Sequence, residues 1–276
     1  MTARHRAAVL GTPIAHSLSP VIHRAGFAAA GLVDWSYTAV ECARAELPGL
    51  VAGLGPEWAG LSVTMPLKEV ALGLATVASP VAVAVGAANT LVRSDDGRWY
   101  ADNTDVAGMV AVLRDVGVTG SPRVTVLGAG GTARAALAAA AALGAPEVTV
   151  VARRPEATAQ LRPVAAALGV TMSTADWDDA AAALDTDVVV STLPKGVADQ
   201  FATAVPWRAG AVVFDALYDP WPTPLAGAAA SAGARVVSGL DLLLAQALNQ
   251  FEQFTGVRPA PVAAMRDALF AAAGQR

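Results

Sequence analysis

Lys68 and Asp105 are the two charged residues of this sequence whose surroundings most favour chemistry. Lys68 follows the segment "LSVTMPL", and the chain otherwise holds a single lysine, Lys195, among 19 lysine and arginine residues. Asp105 lies in the segment "DNTDVAG". A lysine beside a carboxylate can release and regain a proton, whereas an arginine stays protonated, so this pair favours an acid–base step. The alternative interpretation is that Lys68 is an ordinary surface charge.

Uncharged polar residues interrupt apolar segments in the same part of the chain. Hydroxyl and amide groups suit a small polyhydroxylated ligand better than an apolar or strongly cationic one. Each is also a candidate for a turn or a helix cap, above all the two serines before Pro20, because proline favours the first turn of a helix. These candidate ligand-binding residues are Ser17, Ser19, Ser62, Thr64 and Asn89.

A glycine-rich loop in mid-chain predicts a dinucleotide site. Residues 123–154 contain an apolar strand, the loop, a helical segment and a second apolar strand, which is the order of a Rossmann β-α-β unit. The glycines permit a tight turn and a close approach of the backbone to a pyrophosphate, and the helix offers free N–H groups to that anion. A glycine-rich turn without a ligand is the alternative. The loop residues are Gly128, Ala129, Gly130, Gly131, Thr132 and Ala133.

The end of the second strand favours NADP over NAD. NAD-binding units usually carry an acidic residue there, about 20 residues beyond the glycines, which binds the ribose 2′-hydroxyl. This sequence has Ala152, Arg153 and Arg154 instead. An arginine suits a 2′-phosphate through charge pairing and through stacking on adenine. The alternative is an exposed pair of arginines with no ligand.

The composition argues against binding to nucleic acid or to a membrane surface. A formal net charge of −4 gives the 276-residue chain no general attraction to phosphate backbones or anionic lipid. Cys42 is the single cysteine, which rules out an internal disulfide, and the histidines near the N-terminus lack the spacing of a metal cluster. The N-terminal apolar run is too short for a signal peptide. We therefore expect a cytoplasmic protein that holds no metal and acts on a small molecule.

Short β-branched runs alternate with alanine- and leucine-rich segments, which predicts an α/β protein. We expect two domains. An N-terminal α/β substrate domain covers residues 1–104 and is completed by helices in residues 240–276 that pack back on it, and a doubly wound Rossmann domain covers residues 105–239. The expected strands are 7–11, 35–41, 61–64, 123–128, 148–152, 187–191, 211–215 and 235–237.

Seven ordered motifs, spread over essentially the full length, resemble the shikimate dehydrogenase family. The motifs are "GTPIAHSLSP", "GLSVTMPLK", "GAANT", "DNTDVAG", "GAGGTAR", "FDALYDPWPTPL" and "GLDLLLAQA". The resemblance implies an oxidoreductase that uses NADPH to reduce 3-dehydroshikimate to shikimate in the shikimate pathway of aromatic amino-acid and chorismate biosynthesis. It also implies two α/β domains around a deep cleft, with the C-terminal helices returning to the first domain.

The resemblance assigns roles residue by residue. Lys68 and Asp105 match the catalytic pair, with Lys68 moving the proton of the hydroxyl that becomes the ketone. Residues 128–133 match the phosphate loop, and Arg153 matches the 2′-phosphate contact. Tyr218 matches a residue near substrate and nicotinamide, and Gly239 a backbone contact to the nicotinamide amide. The residues that match hydrogen-bonding partners of shikimate are Ser17, Ser19, Thr64, Asn89 and Gln246.

Three positions depart from the family pattern. Ser62 stands where many members carry asparagine, so a shorter hydroxyl replaces an amide at a substrate-binding position. Ala152 and Ser191 also stand where asparagine is common. Alternatives therefore stay open: an NAD-dependent quinate/shikimate dehydrogenase, an aminoshikimate-type enzyme, or, in another class, a non-catalytic dinucleotide-binding sensor. We expect a monomer or a homodimer.

Overall fold

The computed structural model describes residues 4–274. The chain divides into two compact units. Unit 1 comprises Met1–Thr104 and Leu243–Arg276, and unit 2 comprises Asp105–Leu242. Unit 1 is therefore built from both ends of the chain, whereas unit 2 is one continuous segment.

Strands and helices alternate along the described chain, which confirms the predicted α/β class. The strands are β1 (His5–Gly11), β2 (Trp35–Glu41), β3 (Trp58–Val63), β4 (Val77–Ala78), β5 (Thr90–Arg93), β6 (Trp99–Asp102), β7 (Val124–Leu127), β8 (Glu147–Val151), β9 (Thr171–Ala175), β10 (Val188–Ser191), β11 (Val212–Asp215) and β12 (Arg235–Ser238). The helices are α1 (Ser19–Ala29), α2 (Leu47–Ala52), α3 (Lys68–Leu74), α4 (Pro80–Val85), α5 (Thr104–Asp115), α6 (Gly131–Ala142), α7 (Pro155–Ala159), α8 (Arg162–Leu168), α9 (Ala180–Ala183), α10 (Phe201–Ala204), α11 (Pro224–Ser231), α12 (Gly239–Thr255) and α13 (Val262–Ala273). Within residues 4–274, every helix falls short of the length and apolar character that a membrane span requires.

Unit 1 contains a mixed sheet with the strand order β2-β1-β3-β5-β6-β4. β1 runs parallel to β2 and β3, while β5 runs antiparallel to β3 and β6. The sheet packs on a buried apolar cluster that includes Leu10, Leu61 and Leu91. Because β1 and β3 are parallel neighbours, the loops that follow them leave the same edge of the sheet. The predicted ligand residues 17, 19, 64 and 68 all follow these two strands.

The C-terminal helices of unit 1 pack on helix α1. Gly26 of α1 has little room for a side chain, since a Cβ there would lie 2.9 Å from Met265 Sδ and 3.0 Å from the ring of Phe251. Phe27 also contacts Phe251, with 5.7 Å between ring centroids. The absence of a side chain at residue 26 lets the helices approach closely. The predicted return of the C-terminal helices to the first part of the chain is confirmed.

Unit 2 contains a parallel sheet with the strand order β12-β11-β10-β7-β8-β9. Counted from β7 and read from the β9 side, this is the 3-2-1-4-5-6 order of a Rossmann fold. Strands β7, β10 and β11 are buried at every residue, as expected for parallel strands covered on both faces. Helix α6 is mostly alanine, and its small side chains permit close packing. The predicted doubly wound Rossmann sheet is confirmed.

The sequence did not predict strands β4, β5, β6 and β9. β5 and β6 form an antiparallel hairpin whose turn contains Gly97 at φ +82°. β9 pairs with β8 at the edge of its sheet and has the hydroxyl-rich sequence "TMSTA". These strands are short or partly exposed, so they lack the continuous apolar run that identified the central strands.

Candidate functional site

Thr64 lies against the end of β1. Its backbone N–H donates to Leu10 O at 2.9 Å, and the Thr12 N–H donates to Met65 O at 3.1 Å. Gly11 permits this approach, because a Cβ at that position would lie 2.5 Å from Thr64 Cγ2 and 3.0 Å from Met65 O. The loops after β1 and β3 are therefore joined at the carboxyl edge of these strands, which is where open α/β sheets bind ligands.

Ser17 and Ser19 form a turn that leads into helix α1. Ser17 Oγ accepts a hydrogen bond from the Ser19 N–H at 3.3 Å. The helix begins at Ser19, and Leu18 occupies the cap position without a side-chain cap. The interpretation of either serine as the cap residue is therefore wrong. The contact uses the Ser17 hydroxyl as an acceptor and leaves its proton for another partner.

Lys68 begins helix α3 beside the segment that carries Asn89. The Leu67 N–H donates to Thr64 O at 2.8 Å and closes the turn after β3. The Ala88 N–H donates to Lys68 O at 2.8 Å, which fixes the lysine backbone to the residue before Asn89. Three predicted site residues, Thr64, Lys68 and Asn89, are thus brought together by backbone hydrogen bonds at the sheet edge.

Asn89 is buried, and its side chain binds the start of helix α5. Oδ1 accepts hydrogen bonds from the Thr104 N–H and from Thr90 Oγ1, both at 2.8 Å. Nδ2 donates to Thr104 Oγ1 at 3.0 Å. A backbone N–H can only donate, so it identifies the Asn89 atom that faces it as the oxygen. The orientation of this amide is therefore fixed by its surroundings.

Asp105 is the second residue of helix α5 and is buried, with 7% of its surface exposed. A carboxylate in the first turn of a helix is stabilised by the N–H groups and the helix dipole. The helix therefore gives this residue a defined backbone position. The pairing of Asp105 with Lys68 remains a prediction.

Ser62 lies within a buried hydrogen-bond chain that the sequence did not reveal. Tyr37 Oη donates to Ser62 Oγ at 2.7 Å, and Ser62 Oγ donates to Gln250 Oε1 at 2.7 Å. Gln250 Nε2 donates in turn to Asn89 O at 3.2 Å and to Thr90 Oγ1 at 3.0 Å. The hydroxyl that was predicted to contact substrate is thus engaged by two protein side chains, and through them it is connected to Asn89.

Gln246 and Gln250 lie one turn apart on helix α12. Gln246 is buried and its Nε2 donates to Leu243 O at 2.9 Å. A spacing of four residues places both side chains on one face of the helix. This spacing was the signal in the sequence that could have added Gln250 to the candidate site once Gln246 had been identified.

The glycine-rich loop of unit 2 joins β7 to α6. Gly128 has φ +104°, which favours glycine, and a Cβ there would collide with Thr192 Oγ1. Thr192 Oγ1 is held in place because it donates to Leu127 O at 2.8 Å. Gly130 precedes α6 without a side-chain cap, and within residues 4–274 no atom other than those of Gly130 and its two chain neighbours lies within 4 Å of the position a Cβ would take. The loop therefore has the space and the helix N–H groups that a dinucleotide pyrophosphate requires.

Arg153 follows β8 and is exposed. Its guanidinium carbon lies 5.9 Å from the centre of the Trp177 ring. Trp177 follows β9 and packs edge-on against Phe201, with 5.0 Å between ring centroids. The indole therefore limits the movement of the guanidinium on one side. Trp177 was not among the predicted residues, because a single tryptophan after an unrecognised strand carries no pattern.

Tyr218 and Gly239 are neighbours in unit 2. The Gly239 N–H donates to Leu217 O at 3.1 Å. A Cβ at Gly239 would lie 3.1 Å from Tyr218 Cδ1 and would collide with Ala216 O. Only glycine fits this position without a rearrangement of the segment after β11.

Asp215 anchors the segment that carries Tyr218. One carboxylate oxygen accepts from Thr223 Oγ1 at 2.7 Å, and the other accepts from the Leu217 N–H at 3.2 Å. Burial raises the pKa of this carboxyl, while the two hydrogen bonds act in the opposite direction. The acid thus closes the turn between β11 and helix α11.

Three family models match parts of the chain. They are described as shikimate dehydrogenase substrate binding domain, at residues 9–91, NADP oxidoreductase coenzyme F420-dependent, at residues 123–218, and shikimate 5'-dehydrogenase C-terminal domain, at residues 239–270. The first match lies within unit 1, and the second covers most strands of the Rossmann sheet.

Individual proteins are similar over nearly the full length. Shikimate dehydrogenase (NADP(+)) of Anaeromyxobacter dehalogenans is 43% identical, over 97% of this chain and 96% of that protein. The crystal structure of Mycobacterium tuberculosis shikimate dehydrogenase is 48% identical, with a TM-score of 0.88 over 97% of this chain and 99% of the other. Shikimate 5-dehydrogenase from Thermus thermophilus, in complex with NADP(H) and shikimate, is 30% identical, with a TM-score of 0.84 over 97% and 99% of the two chains. Because these similarities extend through both units, the chain belongs to the shikimate dehydrogenase family.

Proposed function

We propose that the chain is an NADP-dependent shikimate dehydrogenase, which reversibly reduces 3-dehydroshikimate to shikimate in the shikimate pathway. The observation that carries the proposal is the joining of Thr64, Lys68 and Asn89 at one edge of the unit 1 sheet. A residue able to transfer a proton is placed there among hydroxyl and amide groups that suit a polyhydroxylated ring. Full-length relatives are named for this activity.

Unit 1 supplies the substrate contacts. Shikimate carries ring hydroxyls and a carboxylate, so its recognition requires both hydrogen-bond donors and acceptors. Hydroxyl and amide side chains provide both without the cost of burying unpaired charges. The residues assigned to this role are Ser17, Ser19, Thr64, Asn89 and Gln246.

Lys68 and Asp105 carry out the proton transfer. In the direction of reduction, the Lys68 ammonium group donates a proton to the ketone oxygen as it becomes a hydroxyl, and in oxidation the neutral amine takes that proton back. A lysine suits this role because its pKa responds to its surroundings, unlike that of arginine. Asp105 is assigned as the carboxylate partner of this lysine in the acid–base step.

Unit 2 would hold the dinucleotide. The N–H groups at the start of α6 would bind the pyrophosphate, Arg153 would bind the 2′-phosphate, and the Gly239 backbone would bind the nicotinamide amide. Tyr218 is assigned to the nicotinamide end because it packs against Gly239. When bound, NADPH supplies the hydride for the substrate carbon.

The direct test is to incubate the purified protein with shikimate and NADP, then with NAD, and to follow the absorbance of the reduced nicotinamide. We expect NADP-dependent oxidation of shikimate, and a kcat/KM for quinate that is lower by about tenfold or more. A higher kcat/KM for quinate with NAD would favour the alternative quinate/shikimate dehydrogenase. No reduced nicotinamide with either substrate would contradict the proposed activity.

The same proposal places the protein in the cytoplasm as a monomer or a homodimer. Its single cysteine, Cys42, is a buried free thiol, which suits a reducing compartment. Light scattering on the purified protein distinguishes one chain mass from two, and fractionation of the source cells tests the compartment.

A further inference from the structure

We infer that Gln250 is a positioning residue, which orients Asn89 toward the substrate through a directed chain of hydrogen bonds that begins at Tyr37 and Ser62. The inference rests on the proposed role of Asn89 as a substrate contact. It assigns Ser62 to this chain and not to direct contact with the substrate. The direction of each hydrogen bond follows from the chemical character of the groups.

Tyr37 is the first donor of the hydrogen-bond chain. Its ring stacks on His23, with 4.1 Å between centroids and 4° between planes, which limits rotation of the phenol. Burial raises the pKa of Tyr37 well above its ordinary value, so the phenol keeps its proton. Tyr37 Oη donates to Ser62 Oγ, and Ser62 then donates its own proton to Gln250 Oε1, each at 2.7 Å.

The amide of Gln250 is oriented by the carbonyl oxygen of Asn89, which has a fixed hydrogen-bonding character. The hydroxyl proton of Ser62 faces Oε1, and the carbonyl oxygen of Asn89, which can only accept, lies 3.2 Å from Nε2. The second N–H of the amide faces Thr90 Oγ1 at 3.0 Å. Reversing the amide would place its oxygen against the Asn89 carbonyl oxygen, an acceptor against an acceptor. Gln250 is 1% exposed, so water cannot readily replace these partners.

The hydrogen-bond chain ends at the side chain of Asn89. Thr90 Oγ1 accepts from Gln250 and therefore donates to Asn89 Oδ1 at 2.8 Å, beside the Thr104 N–H at 2.8 Å. Both lone pairs of Oδ1 are then in use. Nδ2 carries two hydrogens and directs one of them to Thr104 Oγ1. Asn89 therefore presents an N–H to a ligand, and it recognises an oxygen that accepts a hydrogen bond.

Gln250 also fixes the backbone of Asn89. The Asn89 carbonyl oxygen accepts from Gln250 Nε2 and from the Val63 N–H, the latter at 2.8 Å. Without Gln250, the hydroxyl proton of Ser62 loses its acceptor, and Thr90 Oγ1 and the Asn89 carbonyl oxygen each lose a donor, so the Asn89 amide is held less firmly in place. A displaced amide would misalign the N–H that it presents to a substrate oxygen and weaken binding.

Steady-state kinetics test the inference with Gln250→Met, which removes the amide and keeps the length of the side chain. We expect the KM for shikimate to rise by about tenfold or more, with the KM for NADP within about twofold of the wild-type value. Ser62→Ala, a smaller change near the beginning of the hydrogen-bond chain, should raise the KM for shikimate by a smaller factor.

The matched control is Thr255→Ala. This variant removes two hydrogen bonds at the end of helix α12, one donated to Phe251 O and one accepted from the Val257 N–H. This control should lower the thermal midpoint and leave both KM values unchanged. Unchanged KM values for shikimate in folded Gln250→Met and Ser62→Ala would overturn the inference.

A second measurement does not depend on activity. The chain contains three asparagines, Asn89, Asn103 and Asn249, so labelling with ¹⁵N-asparagine gives few side-chain amide signals. In Gln250→Met the Asn89 amide pair should shift or broaden, while the pair of Asn249, which donates to Ala245 O, should remain. An unchanged Asn89 pair would contradict the inference even in an active enzyme. A wild-type protein that fails to oxidise shikimate but shows the expected change in Gln250→Met would refute the proposed function and leave the hydrogen-bond chain intact.

Discussion

Asn89 Oδ1 lies 2.8 Å from the Thr104 backbone nitrogen, so a residue of the candidate site also binds the first backbone N–H of helix α5. Asp105, the proposed partner of Lys68, is the next residue of that helix. We therefore propose two purposes for this side chain: its oxygen stabilises the start of the helix, and its nitrogen donates to the substrate. The two purposes can be separated by substitution.

Asn89→Asp should preserve stability and impair substrate binding. A carboxylate keeps the acceptor for the Thr104 N–H and places negative charge at a helix N-terminus, which is favourable, but it has no N–H to donate. We expect a thermal midpoint near that of the wild type and a fall of about tenfold or more in kcat/KM for shikimate. Asn89→Ala should impair both stability and substrate binding, and its free energy of unfolding should be lower by about 1–2 kcal/mol. Equal losses of stability in the two variants would show that the oxygen does not support the helix.

Lys68→Ala should lower kcat by a factor of about 10² or more, because general acid–base help contributes about 10²–10⁴. The binding of NADP, measured by quenching of protein fluorescence, should change little. Asp105→Asn should also lower kcat, and the double variant should fall short of the product of the two single effects if the residues act as one unit. A near-normal kcat for Lys68→Ala would return this lysine to the status of a surface charge.

Arg153→Ala should raise the KM for NADPH and leave the KM for NADH nearly unchanged, since the lost partner is a phosphate that NADH lacks. Trp177→Leu provides the structural comparison, because the guanidinium carbon of Arg153 lies 5.9 Å from the centre of the Trp177 ring. Trp177→Leu should also reduce the preference for NADPH over NADH, by a smaller factor than Arg153→Ala. Equal losses with both cofactors in Arg153→Ala would show that the arginine supports the fold or the adenine.

His23 should make the protein less stable in mild acid. Burial lowers the pKa of His23 to about 3, below its ordinary value of about 6.5. Below about pH 6.5, His23 therefore binds a proton in the unfolded chain but stays neutral in the folded protein. The free energy of unfolding falls as the pH decreases from 6.5 toward 3, by up to about 1.4 kcal/mol per pH unit. His23→Phe keeps a ring against Tyr37 and removes this titration.

Urea unfolding between pH 5 and pH 7 measures the effect of His23. The free energy of unfolding should depend on pH less steeply in His23→Phe than in the wild type. Parallel pH profiles for the two proteins would mean that His23 does not distinguish the folded from the unfolded state.

The sequence was most informative where strands are buried on both faces. β7, β10 and β11 have the apolar sequences "VTVL", "VVVS" and "VVFD", and all three were predicted within one residue at each end. The hairpin of β5 and β6 was missed because both strands are only partly buried, so neither has the continuous apolar run of the central strands. Its turn sequence "SDDGR" was the available signal, since Asp-Gly favours hairpin turns.

The role of Ser62 could not be derived from its own surroundings in the sequence. A serine near a strand end was consistent with a contact to substrate, and the residue that occupies its proton, Gln250, lies 188 positions further along the chain. A polar residue on an amphipathic helix normally faces solvent, yet Gln250 is buried. Long-range polar contacts of this kind leave no periodic pattern, which is why the structure was needed to find them.

Unit 1 is made of the first and last parts of the chain, with the whole of unit 2 between them. Helix α1 leaves the ribosome before unit 2, whereas Phe251 and Met265, which cover its inner face, are translated after unit 2. At about 5–20 residues per second, translation of the intervening unit takes on the order of 10 s, and a continuous unit can fold during that time. The apolar face of α1 therefore stays uncovered until the residues that follow unit 2 have been translated.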